Sequence, residues 1–267
     1  MNTTKLNQPH VCYSLPIVCS VFPSCFQAST HFHIEIPSFS LPVHDVHQVF
    51  IEAFDVAVDM NDNFCVLVKL RNRVYPGFEF VVYLLNNNGE VHQFPVKKDK
   101  DWTICPAMIV DSKRKVVIVR KRFIHPEGCV FDVYENDGQF VLCFGEELLR
   151  SVKDLAVATD DRVIVLDRNS YVHMFSEHGD HLSEFELSTC RFPTRRIAFH
   201  HSSEHVVVAD VEGDYVHLHI YTKDGELVRS TKTHVNGVDR SQRRMIVTAE
   251  GDVALLCEKP GRVFILC

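Results

Sequence analysis

Asp154-Leu155-Ala156-Val157, then Val163-Ile164-Val165-Leu166, then Tyr171-Val172-His173-Met174-Phe175, then His178-Gly179 and a closing segment that ends at Phe185: this stretch decides the fold. The first two segments are short and apolar throughout, the pattern of strands buried on both faces. The third alternates, as a strand with one wetter face does. The glycine supplies the positive φ of a tight hairpin into a fourth strand.

The unit recurs on both sides. Its first strand returns as Phe54-Asp55-Val56-Ala57-Val58, Ala107-Met108-Ile109-Val110, Arg196-Ile197-Ala198-Phe199 and Arg244-Met245-Ile246-Val247. Its second returns as Cys65-Val66-Leu67-Val68, Val116-Val117-Ile118-Val119, Val206-Val207-Val208-Ala209 and Val253-Ala254-Leu255-Leu256. Turn glycines follow at Gly89, Gly138 and Gly225, and fourth strands end on Phe94 and Phe144. A worn copy precedes them: His31-Phe32-His33-Ile34 matches His217-Leu218-His219-Ile220, and Asp45 to Phe50 matches Glu90 to Phe94. The ends Phe50, Phe94, Phe144 and Phe185 lie 44, 50 and 41 residues apart. Four short strands at this period specify an all-β fold, a β-propeller of four-stranded antiparallel blades. Five copies plus the worn one give six blades; five blades with an N-terminal closing strand is the alternative. The last copy stops after its third strand, Arg262 to Cys267, so a strand from the Val11 to Phe22 region is expected to complete it. Residues 1–30 are then an extension or closing strand, and residues 31–267 the propeller.

The chain of 267 residues is 46% hydrophobic and 24% charged, ordinary for a globular protein. Its net charge of −7 would not draw the whole molecule to nucleic acid. The ten cysteines form no CxxC pair and many fall in apolar runs, which reads as reduced, buried thiols and a cytoplasmic protein. Lys5 followed by Val11 to Phe26 mimics a secretory leader, but Pro16 and Pro23 interrupt it. No run is long enough for a membrane span.

The copies with Val165-Leu166-Asp167-Arg168, Val172-His173-Met174-Phe175 and Gly179, and with Val208-Ala209-Asp210 and Asp224-Gly225-Glu226-Leu227-Val228, resemble NHL repeats. The resemblance covers roughly Phe54 to Cys267. Such propellers form the C-terminal part of tripartite-motif ubiquitin ligases, where they recruit protein substrates or bind RNA. The resemblance therefore implies a non-catalytic platform for a protein partner, a substrate-recognition module in ubiquitin-ligase pathways, with RNA binding as the alternative. No RING or B-box spacing is present.

Asp55, Asp154 and Asp239 begin first strands and would line the channel. Propellers of the gluconolactonase and paraoxonase group hold calcium there, so a resemblance to that group would imply a calcium-dependent esterase or lactonase as a further alternative. Ala107 and Arg195-Arg196 stand at the equivalent places of other copies, so the acids read as solvated channel groups. His217 and His219, like His31 and His33, share a strand face but lack a third ligand; they read as surface or edge-strand histidines. Neither catalytic residues, metal nor cofactor is expected.

Connectivity gives the disc two chemically different faces. Loops joining second to third strands, and each blade to the next, emerge on one face; the hairpins emerge on the other. Assigning charges by segment gives the loop face about +5 and the hairpin face about −9. Hairpin chemistry favours Asp, which explains part of the acid. The basic excess concentrates at Arg71, Arg73, Arg120, Lys121 and Arg122, with Lys97, Lys98 and Trp102 beside them, and Asp210 marks an acidic blade. These basic residues and Trp102 are the expected partner-binding site.

Overall fold

The computed structural model describes residues 18–22, 49–58, 63–72, 78–85, 90–96, 102–122, 128–146, 148–187, 195–238, 242–248, 250–257 and 262–266. These residues form five four-stranded sheets. The first contains β2 (Val49–Val58), β3 (Phe64–Asn72), β4 (Phe78–Leu85) and β5 (Val91–Pro95), in that order. The second contains β6 (Trp102–Val110), β7 (Val116–Arg122), β8 (Gly128–Tyr134) and β9 (Phe140–Phe144). The third contains β10 (Val152–Val157), β11 (Val163–Asp167), β12 (Tyr171–Phe175) and β13 (His181–Glu186). The fourth contains β14 (Arg195–His200), β15 (His205–Glu212), β16 (Tyr215–Tyr221) and β17 (Leu227–His234). The fifth contains β18 (Gln242–Val247), β19 (Val253–Cys257), β20 (Arg262–Leu266) and, as its fourth strand, β1 (Val18–Phe22).

The described residues make a propeller of five blades, the alternative count, and the count of six is not borne out. The N-terminal strand completes the last blade instead of belonging to a blade of its own. Val49 and Phe50 open β2, the first strand of the Phe54 blade, so their match to a fourth strand is incorrect. Residues 31–48, which carry the rest of the worn copy, lie outside the described residues. The expected closing strand is present, but it runs parallel to β20, with Val18 opposite Arg262 and Phe22 opposite Leu266. The other strand pairs are antiparallel.

The core is a set of layers between blades, as continuous apolar second strands require. Leu67 and Val82 meet Met108 and Ile118; Val119 and Phe131 meet Leu155 and Val165; Leu166 and Met174 meet Ile197 and Val208; Ala209 and Val216 meet Leu255 and Phe264. The phenylalanines that end fourth strands have a common task. A Cβ on Gly138, Gly179 or Gly225 would fall 2.3–2.6 Å from an atom of Phe94, Phe144 or Phe185 respectively, the phenylalanine of the preceding blade. All three glycines have φ between 86 and 88°. The third-strand aromatics Tyr134, Phe175 and Tyr221 lie against the same rings, with centroids 5.4, 5.2 and 5.7 Å apart. Each turn glycine therefore lets the next blade close over a phenylalanine. Among the cysteines, Cys65 and Cys129 are buried thiols, as expected, whereas Cys143 is exposed.

Candidate functional site

The first strands β2, β6, β10, β14 and β18 follow one another around the axis. Asp55, Asp154 and Arg244 hold the same register position in three of them, opposite Leu67, Leu166 and Leu256. In each a bulge precedes the residue, which re-aims a side chain. Arg244 crosses the axis. Its Nε donates to Asp55 Oδ1 at 2.9 Å, its Nη2 donates to Asp55 Oδ2 and to the Met108 carbonyl, and its Nη1 lies 3.4 Å from Asp154 Oδ1. Asp55 Oδ2 also accepts the Met108 N–H at 2.8 Å, and Asp154 Oδ2 the Ile197 N–H at 3.0 Å. Each carboxylate thus ties its own blade to the next, and Arg244 ties both to the last.

The expectation of solvated channel acids is therefore incorrect for Asp55 and Asp154. The side chains of Asp55, Asp154 and Arg244 are 6%, 5% and 13% exposed. Burial pushes the Asp154 carboxyl above the usual carboxylate range, and Arg244 and then Arg196 pull it back. Two carboxylates committed to a guanidinium are poorly placed to hold calcium. Asp239 lies outside the described residues.

The expected partner-binding residues are divided. Arg73, Lys97 and Lys98 lie outside the described residues. Arg71 stands near the end of β3, opposite Phe78. Lys121 and Arg122 end β7, opposite Thr103 and Trp102 at the start of β6. The antiparallel order places these strand ends on the loop face. Arg120 is a correction. It is buried, donates from Nη2 to Asp132 Oδ1 at 2.7 Å, and has its Nε beside Asp132 Oδ2. Strand β7 continues through Arg122, so Arg120 is no loop residue, and it serves the buried aspartate of β8.

In the expected acidic blade, Asp210 and Glu212 have basic neighbours. Asp210 is buried beside Arg195, Nε to Oδ2 being 3.9 Å, and Glu212 lies 3.4 Å from His217 Nε2 and 3.9 Å from Lys232 Nζ. Nor is His219 a surface histidine: it is buried, and its Nδ1 meets Ser230 Oγ at 3.0 Å.

A second basic cluster lies where the third and fourth blades meet the axis on the loop face. Lys153 occupies the bulge of β10, Arg168 follows β11, and Arg195 and Arg196 open β14. The Arg168 N–H donates to the Ser151 carbonyl at 3.2 Å, which fixes this turn against the start of β10. Burial, then Arg196 and Arg168, lowers the Lys153 ammonium below the ordinary lysine value. Cations from neighbouring strand ends add to one local positive field, which favours an anion. The segment charges conceal the cluster because Lys153 and Arg196 lie within strands and Arg168 directly follows the acid Asp167. The signal was present in Lys153, Arg195 and Arg196 at strand starts that face the axis.

The hairpin face uses much of its acid structurally. Asp161 accepts Ser112 N–H at 2.8 Å and Ser112 Oγ–H at 2.7 Å across two blades. Asp111 accepts the Lys115 N–H at 2.7 Å, Arg162 chelates Asp160, and Lys223 pairs with Glu204 at 2.8 Å.

No family model matches the chain, and no curated protein matches it. Among solved structures it is similar to the β-propeller domain of Cps50 (Swd1) from Myceliophteria thermophila, at 10% identity and a TM-score of 0.50 over 80% of this chain and 82% of that one. It is also similar to a protein of unknown function from Bacteroides caccae, at 11% identity and a TM-score of 0.50 over 77% of this chain and 70% of that one. These likenesses show the β-propeller fold. The NHL likeness rests on the sequence motifs alone. No helix among the described residues is long and apolar enough to cross a membrane.

Proposed function

We propose that this propeller is a non-catalytic recognition module whose loop face binds an acidic segment of a protein partner. The observation that carries the reading is the placement of Lys153 in the bulge of β10, Arg168 directly after β11 and Arg196 at the start of β14, which gathers three cations at neighbouring loop-face strand ends. An acidic segment lying across these strand ends gains from several cations at once. The commitment of Asp55 and Asp154 to Arg244 supports the non-catalytic half of the proposal. A role in substrate recognition for ubiquitination rests on the NHL resemblance and a cytoplasmic location on the cysteine pattern, and both belong to the same proposal.

The test is affinity capture with the full chain and with Lys153→Glu/Arg168→Glu, each with and without RNase, read by quantitative mass spectrometry. The proposal expects a protein partner that survives RNase and that the variant loses at least ~10-fold, about 1.4 kcal/mol. A partner lost with RNase turns the reading to RNA. A partner held equally by the variant removes the cluster from the binding face.

A further inference from the structure

The third blade holds a cluster that the recognition face does not use. His173 lies on β12, and His181 and Glu184 on the outer strand β13. One imidazole nitrogen from each histidine and one carboxylate oxygen of Glu184 all lie within 4.8 Å of one another. Nδ1 of His173 is 3.1 Å from Glu184 Oε2, and Nε2 of His181 is 3.8 Å from the same oxygen. Ligand atoms arranged tetrahedrally around zinc at 2.0–2.1 Å stand about 3.3 Å apart, so these separations need only small side-chain movements.

The strand pairing explains the convergence. His173 and Glu184 are directly opposed. His181 is three residues from Glu184, and in a regular strand such residues point to opposite faces. A bulge between Met174 and Phe175 places His181 opposite Phe175 and re-aims its ring, whose centroid is 5.7 Å from that of His173. The second and fourth blades have the same bulge, but they offer Asp132, Phe140 and Cys143, or His219, Leu227 and Ser230, at the equivalent places. Three ligands therefore meet in the third blade where the same geometry elsewhere supplies an incomplete set.

A second observation points to a ligand. His173 is 6% exposed, and its buried Nδ1 has no hydrogen-bond partner. The Glu184 oxygen beside it lacks hydrogen-bond geometry. Leaving such a nitrogen unsatisfied is costly. On the other side of the ring, Asp167 Oδ2 is 3.9 Å from Nε2, the place of a carboxylate that orients a metal-bound imidazole.

We infer that His173, His181 and Glu184 form a binding site for a divalent transition-metal ion of zinc type, bound by His173 Nδ1, His181 Nε2 and a Glu184 carboxylate oxygen. Two imidazoles and one carboxylate suit such an ion and not calcium or magnesium, which take oxygen ligands. Water fills the remaining position, because His181 and Glu184 reach solvent. The ion clasps the outer strand of the blade to β12.

The test titrates Zn²⁺ into the chelator-treated full chain against a chromophoric competitor, with Mg²⁺ and Ca²⁺ as controls. Co²⁺ substitution then reports whether the ligands include sulfur. His181→Ala and Glu184→Gln are the variants, since both positions are exposed and the metal-free fold does not depend on them. The inference expects one equivalent of Zn²⁺, a Co²⁺ spectrum without a thiolate charge-transfer band, and affinity at least ~10-fold weaker in each variant. Zn²⁺ should also raise the melting temperature of the wild type and not of the variants. Equal affinity in wild type and variants, a thiolate spectrum or no stoichiometric binding overturns it.

Discussion

Replacing Arg244 by Met should be among the most damaging single changes in this protein. The side chain fills much of the same length but removes the cation that, among the described residues, is bonded to Asp55 and to Asp154. Both carboxylates stay buried. Each keeps backbone donors: Val56 and Met108 for Asp55, and Ile197 for Asp154. Breaking one buried pair costs 3–5 kcal/mol, and here two anions lose one partner while retaining partial compensation, so about 4 kcal/mol is expected. That is a large share of the 5–15 kcal/mol typical of a folded domain. Arg244→Lys keeps the charge but not the fork and should cost roughly half as much. The assay is urea unfolding across pH. Burial already raises the Asp154 carboxyl, and loss of Arg244 removes its main lowering influence. A folded-state carboxyl raised above its unfolded value binds more protons folded than unfolded between the two, so stability rises on acidification. The deficit of Arg244→Met should therefore be largest at neutral pH and shrink as pH falls through the raised value. Asp154→Asn in the Arg244→Met background should recover part of it. A cost below about 1 kcal/mol, or one independent of pH, would refute the buried network.

Further outcomes follow from other parts of the fold. Gly179→Ala should destabilise by about 2–4 kcal/mol in thermal unfolding, because φ is 86° and the new methyl meets Phe144, whereas Gly213→Ala, with nothing near its Cβ, should cost only the strain of its φ of 59°. Burial, then His217 and Arg195, lowers the His219 imidazolium, so the unfolded chain takes up a proton first and stability should fall as pH drops below about 6.5. His219→Gln should flatten that slope in denaturant unfolding. Asp132→Asn should cost about 3 kcal/mol by uncovering the Arg120 guanidinium, measured by urea denaturation, and Arg120→Met/Asp132→Leu should recover most of it.

The repeat was legible because its strands have fixed physical roles. Second strands such as Val116 to Val119 are apolar because blades cover both faces, and Phe94, Phe144 and Phe185 recur because each fits under the next blade's glycine. The number of blades was harder to read. A five-residue closing strand, Val18 to Phe22, carries little pattern, and nothing local shows that it pairs parallel to β20. Histidine and phenylalanine matches in residues 31–50 favoured an extra blade, yet Phe50 serves in a first strand. Charges were misplaced for a related reason. Arg120 looked like a loop residue after Val119, but an aspartate within Phe131-Asp132-Val133 needs a buried partner, and Arg120 supplies it. The axial network could have been found by aligning the copies, which sets Asp55, Asp154 and Arg244 at one position. The His173 cluster could not, since a bulge brings His181 to that face.

Hydrogen exchange of the full chain, alone and with the captured partner, tests the recognition face most directly. The proposed interface predicts protection at the loop-face ends of the third and fourth blades, around Ser151 to Lys153, Arg168 to Ser170 and Arg195 to Arg196, weakened in Lys153→Glu/Arg168→Glu. Protection confined to the hairpins at Ser112 to Lys115, Thr159 to Arg162 and His201 to Glu204, with the loop face unchanged, would contradict it.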